Sequence, residues 1–285
     1  MNVCNVVNCV KLEGRASPDY RYRVSMKTNM CSCEVLRELL LLLNLRMQDP
    51  VDISNILFLD IETVPGVYRF ADLEPMWQQL WSDKTRFLQE REEKTAEEIY
   101  ERAGIYAEFG KVICISTALV HRDEGRDKLR VKSFYGSDEV EVLKSFGKVL
   151  DTYYSKPGKY ICGHNLKEFD APYVARRMLV NGLSLPDIIN TPGKKPWEVS
   201  HLDTMEMWKF GDYKHFSSLS LLAGLFGIPT PKDDISGGDV ARVFYEEDDL
   251  ERIRIYCEKD TVTVANLYRK MKNMPVIPES DVEVV

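Results

Sequence analysis

The chain has 285 residues, of which 44% are hydrophobic and 29% charged, and its formal net charge is −7. That much apolar material supports one substantial core or two small ones and excludes a disordered or fibrous chain. The acidic balance excludes a protein that coats nucleic acid through a broad basic surface, but it leaves room for one that grips a single chain end in a metal-loaded cleft.

No charged-then-apolar leader opens the sequence, and the longest apolar run, Leu39 to Leu43, is far too short to cross a bilayer. No membrane association is expected. Cys4, Cys9, Cys31 and Cys33 cluster near the start, whereas Cys114, Cys162 and Cys257 sit in apolar contexts, where buried free thiols are the rule. There is no C-x-x-C pair, so a zinc knuckle lacks its usual spacing. These features fit a reducing cytoplasm.

Residues 1–50 differ from the rest: they are net basic, and no sustained period runs up to Cys33, although Val35 to Arg46 reads as a short leucine-rich helix. Three readings stand. The segment is a basic arm that touches nucleic acid, a poorly spaced cysteine metal site, or an extension outside the native protein, with Met47 as the natural start. The third is preferred, because termini without a packing pattern usually lack structure. Residues 1–50 are therefore expected to be a poorly ordered extension, 51–275 the functional domain and 276–285 a tail.

Ile56 to Pro65 reads ILFLDIETVP. Its apolar run has no polar alternation, as suits a central strand covered on both faces. Asp60 and Glu62 are two apart, so a strand points both carboxylates to one face. Paired acids at the end of a buried strand repel each other and lose solvation, and a hard divalent cation is the simplest remedy. Alone, such a pair is more often a strand end with two solvated acids.

Asp72 to Glu93 follows as a helix, with Leu73, Met76, Trp77, Leu80, Trp81 and Leu88 near a 3.6-residue period. Thr95 and Glu98 form a capping box for a helix over Ala96–Arg102. This block is a helical insertion, either a wall beside the acidic pair or a packing decoration. Lys111–Val120 and Leu129–Tyr135 are strands joined by the charged turn His121–Lys128.

Asp138 caps a helix that runs to Tyr153, Lys159–Cys162 is a strand, and Phe169–Val180 is a helix stopped at Asn181-Gly182. Val199–Asp203 is a short strand. Helices over Ser217–Phe226, Asp239–Tyr245 and Asp248–Lys270 close the chain. The order predicts an α/β fold: a mixed five-stranded sheet flanked by helices, with the helical insertion after the first strand.

Three further patches invite chemistry: Asp170 at a helix start, Tyr256 and Asp260 one turn apart on an inward helix face with Ile253 and Val264, and Asp203 at a strand end. Singly, each reads as structural: a cap, a hydrogen-bonded core pair, a strand terminus.

Together the motifs resemble a family. D-I-E-T at Asp60–Thr63, H-N-L-K-E-F-D-A-P-Y at His164–Tyr173 followed by Arg176 and Arg177, and Y-C-E-K-D at Tyr256–Asp260 are similar to the three exonuclease motifs of the DEDD superfamily of 3′-5′ exonucleases. The likeness covers roughly residues 55–270. It extends to the proofreading domain of family-B DNA polymerases and to stand-alone bacterial proteins predicted to be exonucleases of that type. The histidine subtype would carry His at position 255; Ile255 stands there and Tyr256 follows, so the tyrosine subtype is implied. Only a short stretch follows Asp260, so no polymerase domain is expected after it.

The resemblance implies a ribonuclease H-like fold and hydrolysis of phosphodiester bonds by two divalent ions, Mg²⁺ or Mn²⁺, at single-stranded or frayed 3′ ends of DNA or RNA. By the same likeness Asp60 bridges both ions, Glu62 and Asp260 complete the first site, and Asp170 holds the second. Tyr256 aims the attacking water, since its ordinary pKa of about 10 suits orientation better than proton abstraction.

Ile61 and Thr63, through the backbone, and Asn165 are expected to touch the terminal nucleotide, and Phe169 to stack on a base or else pack on the sheet. Lys194, Lys195, Lys214 and His215 are candidate phosphate contacts, or simply solvated loop residues. A separate polymerase or repair partner is left unidentified. The rival readings are a catalytically idle nucleic-acid-binding or polymerase-accessory module, which would bind metal without turnover, and a structural domain with surface acids, which would gain no stability from metal.

Overall fold

The organising element is β1, Ile56–Pro65, and the sheet spreads from it in both directions. The structure, a computed structural model, describes residues 51–212, 216–229 and 235–285. The expectations for residues 1–50, including their cysteines and helix, and for Lys214 and His215 lie outside the described residues.

The strand order is β5-β4-β1-β2-β3-β6, with β2 Gly110–Asp123, β3 Arg126–Tyr135, β4 Tyr160–Gly163, β5 His201–Asp203 and β6 Val282–Val284. β1 to β3 form an antiparallel meander, β4 and β5 run parallel to β1, and β6 runs parallel to β3. The sheet thus has six strands rather than the expected five. The sixth comes from the presumed tail: Val282–Val284 is too short to carry a sequence pattern and gains its order by covering the open edge of β3.

The helices are α1 Pro75–Glu92, α2 Ala96–Ile99, α3 Glu139–Tyr153, α4 Asp170–Val180, α5 Thr204–Lys209, α6 Leu219–Phe226, α7 Val240–Arg242 and α8 Leu250–Met271. No helix among the described residues is long and apolar enough to cross a membrane. β1 is covered on both faces, as its unbroken apolar run predicts. Leu57, Leu59 and Ile61 pack with residues of α3 and α4, whereas Ile56 and Phe58 pack with Val264, Ala265 and Tyr268 of α8.

Several local signals hold. Thr95 and Glu98 form the capping box, Asp138 caps α3, and Gly227 ends α6 at a φ of 62°. The β2–β3 hairpin is tighter than expected. Glu124 and Gly125 have φ of 48° and 81°, so the turn takes only two residues and the charged flanks join the ladder, with Lys128 on Asp123 at 2.7 Å.

The insertion departs from expectation on α1. Trp81 is fully buried, Leu73 and Leu88 are partly so, but Met76, Leu80 and Trp77 face solvent. Only the narrow side of α1 that meets Ile99, Tyr100 and Ala103 has a surface to pack on.

Candidate active site

β1 places Asp60 and Glu62 on the face that also carries Ile56, Phe58 and Val64, which is the face α8 covers. Beside Glu62 the β1–β2 register shifts: Glu62 pairs with Cys114 and Thr63 with Val112, leaving Ile113 as an extra residue of β2. Ile113 and Cys114 consequently enter one cluster with Val64, Ile253 and Cys257. Such a bulge bends a strand and re-aims its side chains, and here it falls at the acidic pair.

Along α8, Ile253 and Cys257 pack near Val64 while Val264 and Tyr268 pack near Ile56 and Phe58, which brings Tyr256, Cys257 and Asp260 over Asp60 and Glu62. The Tyr256 hydroxyl donates to Asp260. The Cys257 thiol lies 3.4 Å from the Asp60 carbonyl oxygen and 3.5 Å from Oδ2. Ligand atoms of Asp60, Glu62 and Cys257 all fall within 4.8 Å of one another.

Asp170 arrives from the other side as the first residue of α4, 3% exposed. The backbone amides of Ile61 and of Asp170 itself donate to its carboxylate. The chain reaches α4 through a turn in which Asn165 adopts a φ of 65°, a left-handed conformation that asparagine tolerates.

The electrostatics are one-sided. Burial, then the charges of Glu62, Asp170 and Asp260, push the Asp60 carboxyl well above the usual carboxylate range. Burial, followed by Asp260, does the same to Glu62. Asp170 is pushed up to about 7 by burial, in part offset by the two amides. Oxygen donors crowded together in this way suit a hard divalent cation. The same burial and negative neighbours hold the Tyr256 phenol well above its ordinary range, so it remains a hydrogen-bond donor.

The residues expected at the substrate fall into two groups. Asn165 presents a buried side-chain oxygen with no hydrogen-bond partner among the described residues. The other three are engaged within the protein. The Ile61 side chain is in the core and its amide faces Asp170, the Thr63 hydroxyl meets Tyr173, and Phe169 packs against the core with its ring 5.4 Å from that of Tyr173.

Lys194 donates to the Asp187 carbonyl oxygen at 3.0 Å, and Lys195 lies over the Trp197 ring. Both precede β5 and so approach its N-terminal end, away from the end that carries Asp203. Glu258, inside the third motif, turns away from the acids to Arg254 and the Ser133 hydroxyl. Sequence reasoning missed the Cys257 thiol against Asp60. Its signal was present, since residue 257 falls on the same inward stripe as Ile253 and Val264.

A mixed sheet covered by helices, with carboxylates converging from β1, α4 and α8, defines a ribonuclease H-like domain of the exonuclease type. A family model described as "Predicted 3'-5' exonuclease related to the exonuclease domain of PolB" matches residues 105–277, more than half of the chain, and the protein belongs to that family. The matched stretch includes Asp170, Tyr256 and Asp260, while Asp60 and Glu62 lie ahead of it on β1. A search of curated proteins found no match.

Proposed function

We propose that the protein is a metal-dependent 3′-5′ exonuclease of the tyrosine type, which removes mononucleotides from single-stranded or frayed 3′ ends of DNA or RNA. The observation that carries this reading is the convergence of Asp60, Glu62 and Asp170 on buried ground, with Asp260 holding the Tyr256 hydroxyl beside them. Asp60, Glu62 and Asp260 would hold one divalent ion, and Asp60 with Asp170 a second. Bound there, such ions neutralise phosphate oxygens and lower the pKa of water.

The side chains do the rest. Tyr256 keeps its proton and aims a water through its hydroxyl, since a phenol held so far up its range is a poor base at neutral pH. Asn165 offers its free oxygen to a sugar or base donor of the terminal nucleotide. The buried free thiols Cys114, Cys162 and Cys257 suit work in a reducing cytoplasm.

The test uses 3′-labelled and 5′-labelled DNA and RNA oligonucleotides with Mg²⁺ or Mn²⁺. Mononucleotides should leave the 3′ end only, and Asp60→Ala and Asp260→Ala should abolish release. Metal binding without turnover on any of these ends would favour an idle binding module instead.

A further inference from the structure

The geometry points to Asp203 as a positioning residue that fixes the second acidic motif, and with it the metal site at Asp170. This deepens the exonuclease reading and rests on it. Asp203 ends β5, is 2% exposed and makes no contact with the acids of the site other than through its charge on Asp170.

Its carboxylate instead accepts four backbone amides. Oδ1 takes the amides of Asn165 at 3.0 Å, Met205 at 2.9 Å and Glu206 at 3.3 Å, and Oδ2 takes that of Lys167 at 3.1 Å. Two of the four are the N-terminal amides of α5, where an aspartate cap is ordinary. The other two belong to the turn between β4 and α4, and a cap does not require them.

That turn is where the site depends on backbone geometry. It holds Asn165 in its left-handed conformation and hands the chain on to Asp170. Thr204 closes the same clamp. Its hydroxyl lies 2.9 Å from His164 Nδ1 and 3.2 Å from the Gly163 carbonyl oxygen, while His164 Nε2 reaches the Ser217 carbonyl oxygen at 2.7 Å. Each residue from Gly163 to Asn165, and Lys167 after them, is thereby tied to Asp203, Thr204 or Ser217. A carboxylate whose oxygens already accept four amides has little capacity left for an ion, so its part in the reaction is played through the turn.

Asp203→Asn tests this. The amide keeps the volume and one acceptor oxygen but turns an NH₂ group toward either Lys167 or Asn165, where an amide N–H already points. Mn²⁺ binding is followed from the EPR signal of the free ion, on protein shown by circular dichroism to be folded. The expected result is about a tenfold or greater loss of affinity at the binding step that Asp170→Ala removes. The remaining step should be unchanged.

Thr204→Val, isosteric and not itself one of the acids, should give a smaller loss in the same step, and it decides the matter if Asp203→Asn does not fold. Isotherms that superimpose on the wild type would overturn the proposal, because a role in folding alone leaves the metal affinity of folded molecules untouched. Wild-type protein that binds no Mn²⁺ would overturn it too. Wild-type protein that binds Mn²⁺ but releases no nucleotide would sink the exonuclease reading and still leave Asp203 to be judged by its isotherm.

Discussion

Two buried acidic regions of this molecule are built on opposite plans. At the junction of β2, α3 and α4, Glu139 is 8% exposed, yet its carboxylate takes the Arg177 guanidinium at 2.9 Å and 2.6 Å, the Val112 amide at 2.7 Å and the Asn181 amide group at 2.9 Å. At the other region Glu62 and Asp170 are buried and Asp60 partly so, with mainly other carboxylates for electrostatic company. A buried charge left without a counter-charge is costly, so a fold that needed only stability would supply an arginine in both places. On the proposed reading, the difference separates an acid that holds structure together from acids kept available for an ion.

The sharpest way to break this contrast is to neutralise one acid in each region. Asp60→Asn should reduce nucleotide release by about 10³-fold or more. In EDTA the same variant should melt no lower than the wild type, because it removes a repelling charge. Glu139→Gln should do the reverse. It leaves Arg177 buried without its partner and should cost about 3–5 kcal/mol in denaturant unfolding. Release per folded molecule should then fall far less than in Asp60→Asn, since neither Glu139 nor Arg177 is one of the converging acids. If Asp60→Asn destabilises the metal-free protein and Glu139→Gln does not, the two regions have been read the wrong way round.

Sequence reasoning saw one side of this contrast more clearly than the other. β1 was legible because a strand buried on both faces shows no alternation, and so was the placement of Asp60 and Glu62 on that strand, Asp170 at a helix start and Tyr256 and Asp260 on the last helix, whereas a joint role for them came only from the family resemblance. The Glu139–Arg177 junction was not, for it joins residues 38 apart and no local pattern marks it. The extra residue at Ile113 was equally hidden, since a bulge is a property of two strands in register. β6 is set by the edge it covers, and the exposure of Met76 and Leu80 on α1 by what lies opposite, so neither follows from the residues alone.

The acids should also betray themselves in the pH dependence of the metal-free protein. Asp170 ionises near 3.8 when unfolded and at about 7 when folded. The folded state therefore holds its proton more tightly, and stability falls as pH rises across that interval. Burial lowers the pKa of His164 and His201, which opposes this trend in the upper part of the window, so the quantity to measure is the difference between wild type and Asp170→Asn, in which the histidines cancel. In EDTA the wild-type Tm should drop between about pH 4 and 7 relative to the variant. Saturating Mg²⁺ should reverse the difference at neutral pH, because an ion that binds only the folded form stabilises it. A constant difference across the window would mean that Asp170 already has its counter-charge within the protein.

The smallest expected effect concerns the donor that each region gives its acid. Glu139 receives a guanidinium, and Asp260 receives the Tyr256 hydroxyl, a neutral group that can satisfy a lone pair without cancelling the charge. Tyr256→Phe keeps the ring, which packs beside Ile253 and Val243, and removes only that hydroxyl. If the phenol aims a water, release should slow by about 10- to 100-fold, with Mn²⁺ affinity unchanged because all four carboxylates remain. If it serves only to quiet Asp260, the loss should show in the melting of the metal-free protein and vanish from catalysis once metal is bound. A slow enzyme of normal metal affinity thus separates a group that acts on the reaction from one that, like Arg177, acts on the fold.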